Sequence, residues 1–249
     1  MKALEGKHAL VTGGTRGIGA AIATALRDAG ARVTISGRDQ PALAAAAERL
    51  GADTVVMDVA SADAVSAAFA QIGPVDILIN NAGQAGSAPF GKTDGALWQR
   101  MLDVNLSGTF YCSQAALPAM LDAGWGRIVN VASTAGLVGY RYVAAYCAAK
   151  HGVIGMTRAL ALEVAARGVT VNAVCPGFTD TDIVREAVAT IVAKTGRSED
   201  EARAQLAAGN PQQRLVQTKE VADAVVWLCL PQSGAMNGQS LAVAGGEVM

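Results

Sequence analysis

The sequence predicts an α/β protein built on a doubly wound parallel sheet, and three observations support this fold class. Seven short apolar segments alternate with alanine-rich helical segments along the whole 249-residue chain. Several apolar segments lack polar alternation, as strands covered by helices on both faces do. Hydrophobic residues make up 51% of the chain and charged residues 16%, which suits a large buried sheet. Repeated strand–helix–strand units imply right-handed crossovers, and therefore seven parallel strands with helices on both faces.

Each predicted strand is a short apolar run rich in β-branched residues, and each predicted helix is a longer run rich in alanine. The predicted strands are 8–12, 32–36, 54–57, 75–80, 127–131, 169–174 and 240–243. The predicted helices are 19–29, 41–50, 62–71, 97–123, 144–166 and 219–230. No linker rich in Pro or Ser interrupts the alternation, so residues 1–249 are predicted to form one domain.

Residues 178–214 depart from this alternation, because they contain two amphipathic helical segments (180–194 and 199–207) but no predicted strand. They follow the sixth strand, and ligands of such sheets bind outside the carboxyl ends of the strands. We therefore interpret this segment as a lid over a substrate.

Charge and composition exclude several classes of function. The net charge of −1 gives no reason to expect a nucleic-acid partner. No apolar run approaches the ~18 residues of a membrane span, and a strand predicted from residue 8 leaves no room for a signal peptide, so a cytoplasmic location is expected. The four cysteines are isolated, and no cluster of His, Asp or Glu has ligand spacing, so neither disulfides nor a metal site is predicted.

A glycine-rich turn follows the first strand. Gly13, Gly17 and Gly19 open the first helix with the spacing G-x-x-x-G-x-G. Glycines let the backbone approach a diphosphate, while the helix N–H groups face its charge. The turn predicts a dinucleotide site, although an ordinary strand-to-helix turn has the same composition.

The end of the second strand indicates which dinucleotide is used. An acidic residue there would bind the ribose 2′-hydroxyl of NAD. This chain has Gly37 followed by Arg38, and Arg16 lies in the glycine turn. Two arginines and no acid favour the 2′-phosphate of NADP, the alternative being that Arg38 is a solvated loop charge.

A second group of polar residues predicts proton transfer. Tyr146 and Lys150 stand four residues apart and so project from one face of a helix. A nearby ammonium is expected to lower the pKa of the phenol from its usual value near ~10. Ser133 at the end of the fifth strand and Asn105 in a preceding helical segment add polar groups at a similar depth. A tyrosine and a lysine at this spacing also occur by chance in many helices, and Ser133 is what makes the pair informative.

One further motif points to a different activity. Residues 86–93 match the phosphate-binding pattern G-x-x-x-x-G-K-[ST]. Pro89 removes an N–H group from the supposed cradle, and the preceding strand ends too early, near Asn80. We therefore predict that the segment is a connection, with Thr93 or Asp94 capping the next helix.

Taken together, these motifs make the chain resemble the short-chain dehydrogenase/reductase family over nearly its whole length. The motifs that carry the resemblance occur in the order of the family: Thr12–Gly19, Asp58-Val59, Asn80-Asn-Ala-Gly83, Asn105, Ser133, Tyr146-x-x-x-Lys150 and Pro176-Gly177. The resemblance implies a single Rossmann-type domain that binds NADP(H).

The resemblance also implies roles for individual residues. Tyr146 would exchange the proton, and Lys150 would lower its pKa and bind the nicotinamide ribose. Ser133 would hold the substrate carbonyl, and Asn105 would help to order a proton path to Lys150. The implied cofactor contacts, besides Tyr146 and Lys150, are Gly13, Thr15, Arg16, Gly17, Ile18, Gly19, Arg38, Asp58, Val59, Asn81, Ala82, Gly83, Pro176, Gly177, Thr179 and Thr181. Thr179 departs from the family pattern, which is usually apolar at this place.

The predicted activity is NADPH-dependent reduction of a carbonyl group, and the pattern is most similar to 3-oxoacyl-thioester and polyketide-type ketoreductases. In the lid, Val184, Val188, Ile191 and Val192 offer an apolar cover for an acyl chain. Basic residues there, namely Arg185, Lys194, Arg197 and Arg203, offer contacts to the phosphates of coenzyme A or a carrier protein. The acidic neighbours Glu186, Glu199, Asp200 and Glu201 favour a solvated mixed face instead.

Three alternatives stay open at this point. They are an NAD(H)-linked dehydrogenase of a small hydroxy acid or alcohol, a non-catalytic NADP(H)-binding sensor, and a phosphotransferase that uses Lys92. The resemblance further implies a homotetramer built on the two long helices at 97–123 and 144–166, although the sequence does not distinguish a tetramer from a dimer.

Overall fold

The structure, a computed structural model, describes residues 2–249 apart from the side chains of residues 183, 186, 187 and 190. The strands are β1 (His8–Thr12), β2 (Arg32–Gly37), β3 (Asp53–Val56), β4 (Ile77–Asn80), β5 (Gly126–Val131), β6 (Val169–Pro176) and β7 (Ser240–Val243). The helices are α1 (Gly17–Asp28), α2 (Gln40–Leu50), α3 (Ala62–Ile72), α4 (Gly95–Leu102), α5 (Gly108–Ala123), α6 (Ala144–Val164), α7 (Asp182–Thr195), α8 (Glu199–Ala207) and α9 (Thr218–Cys229).

The seven strands form one parallel sheet in the order β3-β2-β1-β4-β5-β6-β7. This confirms the predicted fold class. The chain first builds outward from β1 to β3 and then returns to place β4 on the other side of β1. The crossovers on the two sides of β1 diverge there, and the sheet opens a crevice at the carboxyl ends of these central strands.

Both faces of the central strands β1, β4, β5 and β6 are buried, as the continuous apolar strands predicted. Within β1, Ala9 and Val11 pack into a core with residues of α1 and α9, whereas Leu10 packs into the opposite core with residues of α3 and α5. This alternation follows from the period of two in a strand. The two cores fix the strand ends that carry the site.

One helix that the sequence predicts as continuous is interrupted in the structure. The helix predicted over 97–123 is divided into α4 and α5 by a π-helical turn at Asp103–Ser107. Within that turn the side-chain amide of Asn105 donates to the carbonyl oxygen of Met101 at 3.0 Å. A carbonyl four residues earlier is the normal partner of a backbone N–H, so this contact competes with regular helix geometry.

The segment between β6 and α9 contains α7 and α8 but only one isolated bridge, between Thr179 and Val216. Its two helices pack on each other through an apolar cluster that includes Val188 and Ala202 and is separate from the sheet cores. Within residues 2–249, no helix is both long and apolar enough to cross a bilayer.

Candidate active site

A cavity of about 570 Å³ opens at the carboxyl ends of β1, β4, β5 and β6. It brings together most of the residues that the sequence singled out. Those that line it are Gly13, Thr15, Arg16, Gly17, Ile18, Gly19, Asn81, Ala82, Gly83, Asn105, Ser133, Tyr146, Lys150, Pro176, Gly177, Thr179 and Thr181.

The glycine turn at one end of the cavity has no room for side chains. Gly13 and Gly17 have φ values of +63° and +54°, which favour glycine. A Cβ atom on Gly19 would lie 2.3 Å from the carbonyl oxygen of Gly13. The amide of Asn81 donates to the carbonyl oxygens of Thr12 and Gly13 at 2.9 and 3.0 Å and so ties the turn to the end of β4. The turn therefore exposes backbone at the N-terminus of α1, which fits a dinucleotide diphosphate.

Three of the predicted contacts lie outside this cavity. Arg38 and Asp58 line a second cavity, of about 410 Å³, beside α3. Val59 lies in the apolar core, where a Cβ atom on Gly108 would come within 2.8 Å of its side chain. Because the side chain of Val59 is used in packing, its backbone is the part that remains to contact a ligand.

The arginine of the glycine turn faces the lid. Nη1 of Arg16 lies 3.9 Å from Oδ2 of Asp182 in the first turn of α7. Arg16 and Arg38 therefore line different cavities.

Sequence reasoning missed Arg49, whose Nη2 donates to the carbonyl oxygen of Thr15 at 2.9 Å. Its place at the end of α2 gave no signal of this contact.

The cavity is also lined by Lys150, which carries an ammonium group. This side chain is buried, and Nζ donates to the carbonyl oxygen of Val131 at the end of β5, at 2.8 Å. A Cβ atom on Gly83 would lie 2.8 Å from Oδ1 of Asn105 and 3.7 Å from Nζ of Lys150, so these two groups flank Gly83. Nζ of Lys150 lies 5.7 Å from the ring centre of Tyr146.

The side chain of Asn105 is fully buried and bonded to the loop after β4. Its Nδ2 donates to the carbonyl oxygen of Gln84 at 2.9 Å, and its Oδ1 accepts from the backbone N–H of Gln84 at 3.2 Å. Asn105 therefore joins the π-helical turn to the loop that runs past Lys150.

Ser133 leaves β5 in an extended conformation and caps a short 3-10 turn. Its Oγ accepts from the backbone N–H of Ala135 at 3.1 Å. This leaves the hydroxyl hydrogen of Ser133 available to donate, and a hydrogen bond from Ser133 to Tyr146 lowers the pKa of the phenol.

The net direction of the Tyr146 pKa differs from the prediction. Burial raises the pKa of Tyr146 above its ordinary value and outweighs the hydrogen bond from Ser133. Burial also lowers the pKa of Lys150 to about 8. The net pKa of Tyr146 is therefore raised rather than lowered in this structure, in which the ammonium of Lys150 donates to Val131.

The lid contributes fewer apolar contacts to the cavity than the sequence suggested. Val184 and Phe178 line the cavity. Val188 is buried in the separate lid cluster, and Ile191 and Val192 pack against that cluster. Of the lid, only the first turn of α7 and the residues just before it would therefore contact an acyl chain.

The basic residues of the lid are largely engaged within it. The contacts are Arg185 with Asp182, Arg197 with Gln205 and Arg203 with Asp180. This agrees with the alternative of a mixed solvated face over phosphate-binding side chains. The side chain of Glu186, one of the acidic neighbours, lies outside the described residues.

The segment that matches the phosphate-binding pattern is a connection. Phe90–Lys92 form a single 3-10 turn, and Lys92 is exposed. Asp94 caps α4 by accepting from the backbone N–H of Leu97 at 2.7 Å. Asp94 rather than Thr93 is therefore the cap.

Sequence reasoning also missed Tyr140, which lines the cavity. Its hydroxyl bonds with Thr134 and with Glu247 near the end of the chain. No motif marks these residues, because the contact joins segments that are 107 residues apart.

Comparison with known proteins identifies the family of this chain. The family model described as short chain dehydrogenase matches residues 7–191. The chain is 39% identical over 245 residues to the acetoacetyl-CoA reductase of Rhizobium meliloti, covering 96% of this chain and 97% of that protein. It is 38% identical over 252 residues to the 3-oxoacyl-acyl-carrier-protein reductase FabG of Vibrio harveyi, covering 99% of each.

A solved structure is similar over the whole fold. A crystal structure of an actinorhodin polyketide ketoreductase variant with NADPH superposes with a TM-score of 0.91 at 39% identity, covering 99% of both chains. The chain belongs to the short-chain dehydrogenase family and is an oxidoreductase that binds a nicotinamide cofactor.

Proposed function

We propose that the protein is an NADPH-dependent reductase of 3-oxoacyl thioesters or closely related ketones. The observation that carries the proposal is the grouping of Ser133, Tyr146 and Lys150 in the cavity that also contains the glycine turn. A sensor would need the cofactor site but would gain nothing from these three side chains together. The names of the similar reductases support a 3-oxoacyl substrate.

The residues present fit the cofactor. The backbone of the glycine turn and the N-terminus of α1 would hold the diphosphate, because any side chain at Gly19 would clash there. Arg38 and Arg16 are our candidates for the 2′-phosphate, and Asp58 for the adenine, since Arg38 and Asp58 share one cavity. The bound nicotinamide supplies the hydride that reduces the carbonyl carbon.

The remaining predicted contacts would surround the rest of the cofactor. Thr15 and Ile18 belong to the glycine turn, and Asn81, Ala82 and Gly83 form the loop after β4. In our proposal Pro176, Gly177, Thr179 and Thr181 border the carboxamide, and Val59 contributes its backbone. All of these except Val59 line the larger cavity.

Tyr146 is the proposed proton donor. A carbonyl oxygen that gains charge during reduction needs a donor within reach, and a phenol whose pKa is raised by burial stays protonated until that charge develops. Ser133 would hold the same oxygen, because the backbone N–H of Ala135 positions its Oγ, and its hydroxyl hydrogen, directed at Tyr146 here, would turn to the substrate oxygen. Ser133 would thereby hold the substrate oxygen within reach of the phenolic proton of Tyr146.

Lys150 and Asn105 would support this transfer. The ammonium of Lys150 lies 5.7 Å from the Tyr146 ring and would stabilise the phenolate left after proton donation. Asn105 fixes the loop beside Lys150 through both of its contacts with Gln84. We propose that it orders the route by which a proton returns to Lys150 and Tyr146.

We also propose the domain organisation and assembly that the sequence suggested. Residues 1–249 would act as one domain, with 178–214 as the substrate lid. Phe178 and Val184 at the start of this segment line the cavity, which supports that role. A homotetramer is proposed on α4, α5 and α6, where Phe110 and Leu162 are 44% and 82% exposed.

The test is a panel of ketones and 3-oxoacyl thioesters with NADPH or NADH, followed by cofactor absorbance. We expect acetoacetyl-CoA and short 3-oxo esters to be reduced with NADPH, and more slowly with NADH. Turnover confined to NAD(H) and small hydroxy acids would favour the alternative dehydrogenase. Tight NADPH binding without turnover of any ketone would favour a sensor and would contradict the proposal.

A further inference from the structure

A carboxylate lies behind the wall of the cavity that holds the proposed proton donor. Tyr140 lines the cavity, and its hydroxyl bonds with Glu247 on one side and with Oγ1 of Thr134, at 2.9 Å, on the other. Thr134 directly follows Ser133 and is buried. Glu247 thus reaches the segment that carries the substrate-binding serine.

The direction of these hydrogen bonds follows from the chemistry of the groups. A phenol has one hydrogen, and a carboxylate only accepts. Tyr140 therefore donates to Glu247 and accepts from the hydroxyl of Thr134. Consistently, burial and then the bond to Glu247 raise the pKa of Tyr140 and the bond to Thr134 lowers it, with a net value of about 12.

The backbone around Glu247 is shaped for this contact. Gly245 and Gly246 have φ values of +60° and +91° and turn the chain back after β7. A Cβ atom on Gly177 would lie 2.6 Å from Oε2 of Glu247, and one on Gly209 would lie 3.7 Å from Oε1. One carboxylate therefore reaches the serine segment through Tyr140 and lies close to Gly177 after β6, with Gly209 of the lid nearby.

The charge of Glu247 is not balanced by a close cation. Among the residues that the structure describes, no Lys, Arg or His nitrogen lies within 4.0 Å of its carboxylate. Arg141 lines the same cavity, but it is exposed and solvent screens its charge. Glu247 is only partly exposed, so its charge acts on the adjoining wall with less screening.

We propose that Glu247, acting behind Tyr140, is a specificity-determining residue that excludes substrates with a free carboxylate and admits neutral 3-oxo esters and thioesters. The inference rests on the proposed function and deepens it. It states why the enzyme would accept thioesters and reject the small hydroxy acids that the alternative NAD(H)-linked dehydrogenase would use. A substrate carboxylate at this wall would be repelled by the charge of Glu247, whereas a neutral acyl group would not.

The test compares acetoacetate with methyl acetoacetate, which differ in the charge of one group. We expect the wild-type enzyme to reduce the ester with the higher kcat/KM. In Glu247→Gln the ratio of kcat/KM for acetoacetate over the ester should rise about tenfold, because a neutral amide replaces the charge at similar volume. Glu163→Gln, an exposed glutamate on α6, should leave the ratio unchanged.

Tyr140→Phe separates charge from structure. This variant removes the hydrogen bond but keeps the carboxylate, so the ratio should stay low or fall further. If Glu247→Gln and Tyr140→Phe change both substrates in parallel, Glu247 has a structural role and the inference is overturned.

A binding measurement distinguishes failure of this inference from failure of the proposed function. Calorimetry with the NADPH-loaded protein compares 3-hydroxybutyrate with its methyl ester, neither of which reacts with reduced cofactor. Tighter binding of the ester, with the difference reduced in Glu247→Gln, supports the inference even if none of the tested ketones is turned over. Equal binding of acid and ester by the wild-type protein would overturn it, whatever the activity on ketones.

Discussion

The two ends of the cleft are built differently. At the end that we propose to be catalytic, Lys150 and Asn105 are buried and are held by backbone groups. At the end proposed for the adenosine, Arg38 is exposed and the side chain of Arg16 is 64% exposed. Proton transfer depends on position to within fractions of an ångström, whereas recognition of a phosphate tolerates mobile cations. We infer from this difference that the buried residues determine the position of the reacting groups. The choice between NADPH and NADH depends instead on exposed side chains that can be substituted without disturbing the core.

The largest effect is expected at the buried end. Tyr146→Phe removes the proposed donor without changing the volume of the ring. We expect kcat for ketone reduction to fall by about 10²- to 10⁴-fold, the usual contribution of a positioned acid. Stopped-flow turnover and cofactor binding measured by fluorescence would check this, with NADPH affinity little changed.

Tyr142→Phe is the matched control, because Tyr142 lies in the same segment and is 61% exposed. It should retain nearly full activity. If Tyr146→Phe keeps more than about a tenth of the wild-type kcat, the mechanism is wrong, since even weak acid catalysis contributes more than that.

The pH dependence of the rate tests the buried end without a substitution. Burial lowers the pKa of Lys150 to about 8, so its ammonium is present below that pH and is lost above it. We expect kcat/KM for reduction to fall about tenfold per pH unit on the alkaline side of this value, because the charge that stabilises the phenolate disappears. Initial rates across the range would measure this limb.

Lys150→Arg serves as the comparison, since a guanidinium remains charged throughout. Its activity will be lower, but the alkaline limb should move to higher pH. A wild-type profile that stays level well above the pKa of Lys150 would mean that this ammonium is not needed for the rate.

The sequence predicted the parts of the site that depend on local geometry. Spacing within a helix was sufficient to place Tyr146 and Lys150 in one cavity, and the order of strands and helices was sufficient for the sheet. The break in the helix at Asp103–Ser107 was missed because it depends on contacts of Asn105 with a separate loop. Glu247 was missed for the same reason.

The pKa of Tyr146 was mispredicted because the sequence shows which charges are near but not how much water is displaced. Burial of the phenol turned out to outweigh its polar neighbours. Desolvation is a property of the whole cavity and has no local signature in the chain.

The exposed end should respond less strongly. Arg38→Ala is expected to raise the KM for NADPH by about tenfold, as loss of charge-assisted hydrogen bonds does, and to leave the KM for NADH nearly unchanged. Arg32→Ala is a matched control at the opposite end of β2, where Arg32 pairs with Asp53 at 2.7 Å. Equal losses for both cofactors in Arg38→Ala would show that Arg38 does not contact the 2′-phosphate.

The smallest effect is expected where the exposed end meets the lid. Asp182→Asn removes the carboxylate that lies 3.9 Å from Nη1 of Arg16. An exposed ion pair contributes at most about 1 kcal/mol, so releasing Arg16 should raise the affinity for NADPH by about two- to fivefold. Fluorescence titration at low and high salt would measure it, and the gain should shrink as salt screens the charges. Asp223→Asn, which breaks the exposed pair with Lys219 on α9, should change nothing. A loss of NADPH affinity in Asp182→Asn would instead mean that Asp182 positions the lid, and that the exposed end is more tightly constrained than the comparison with the buried end implies.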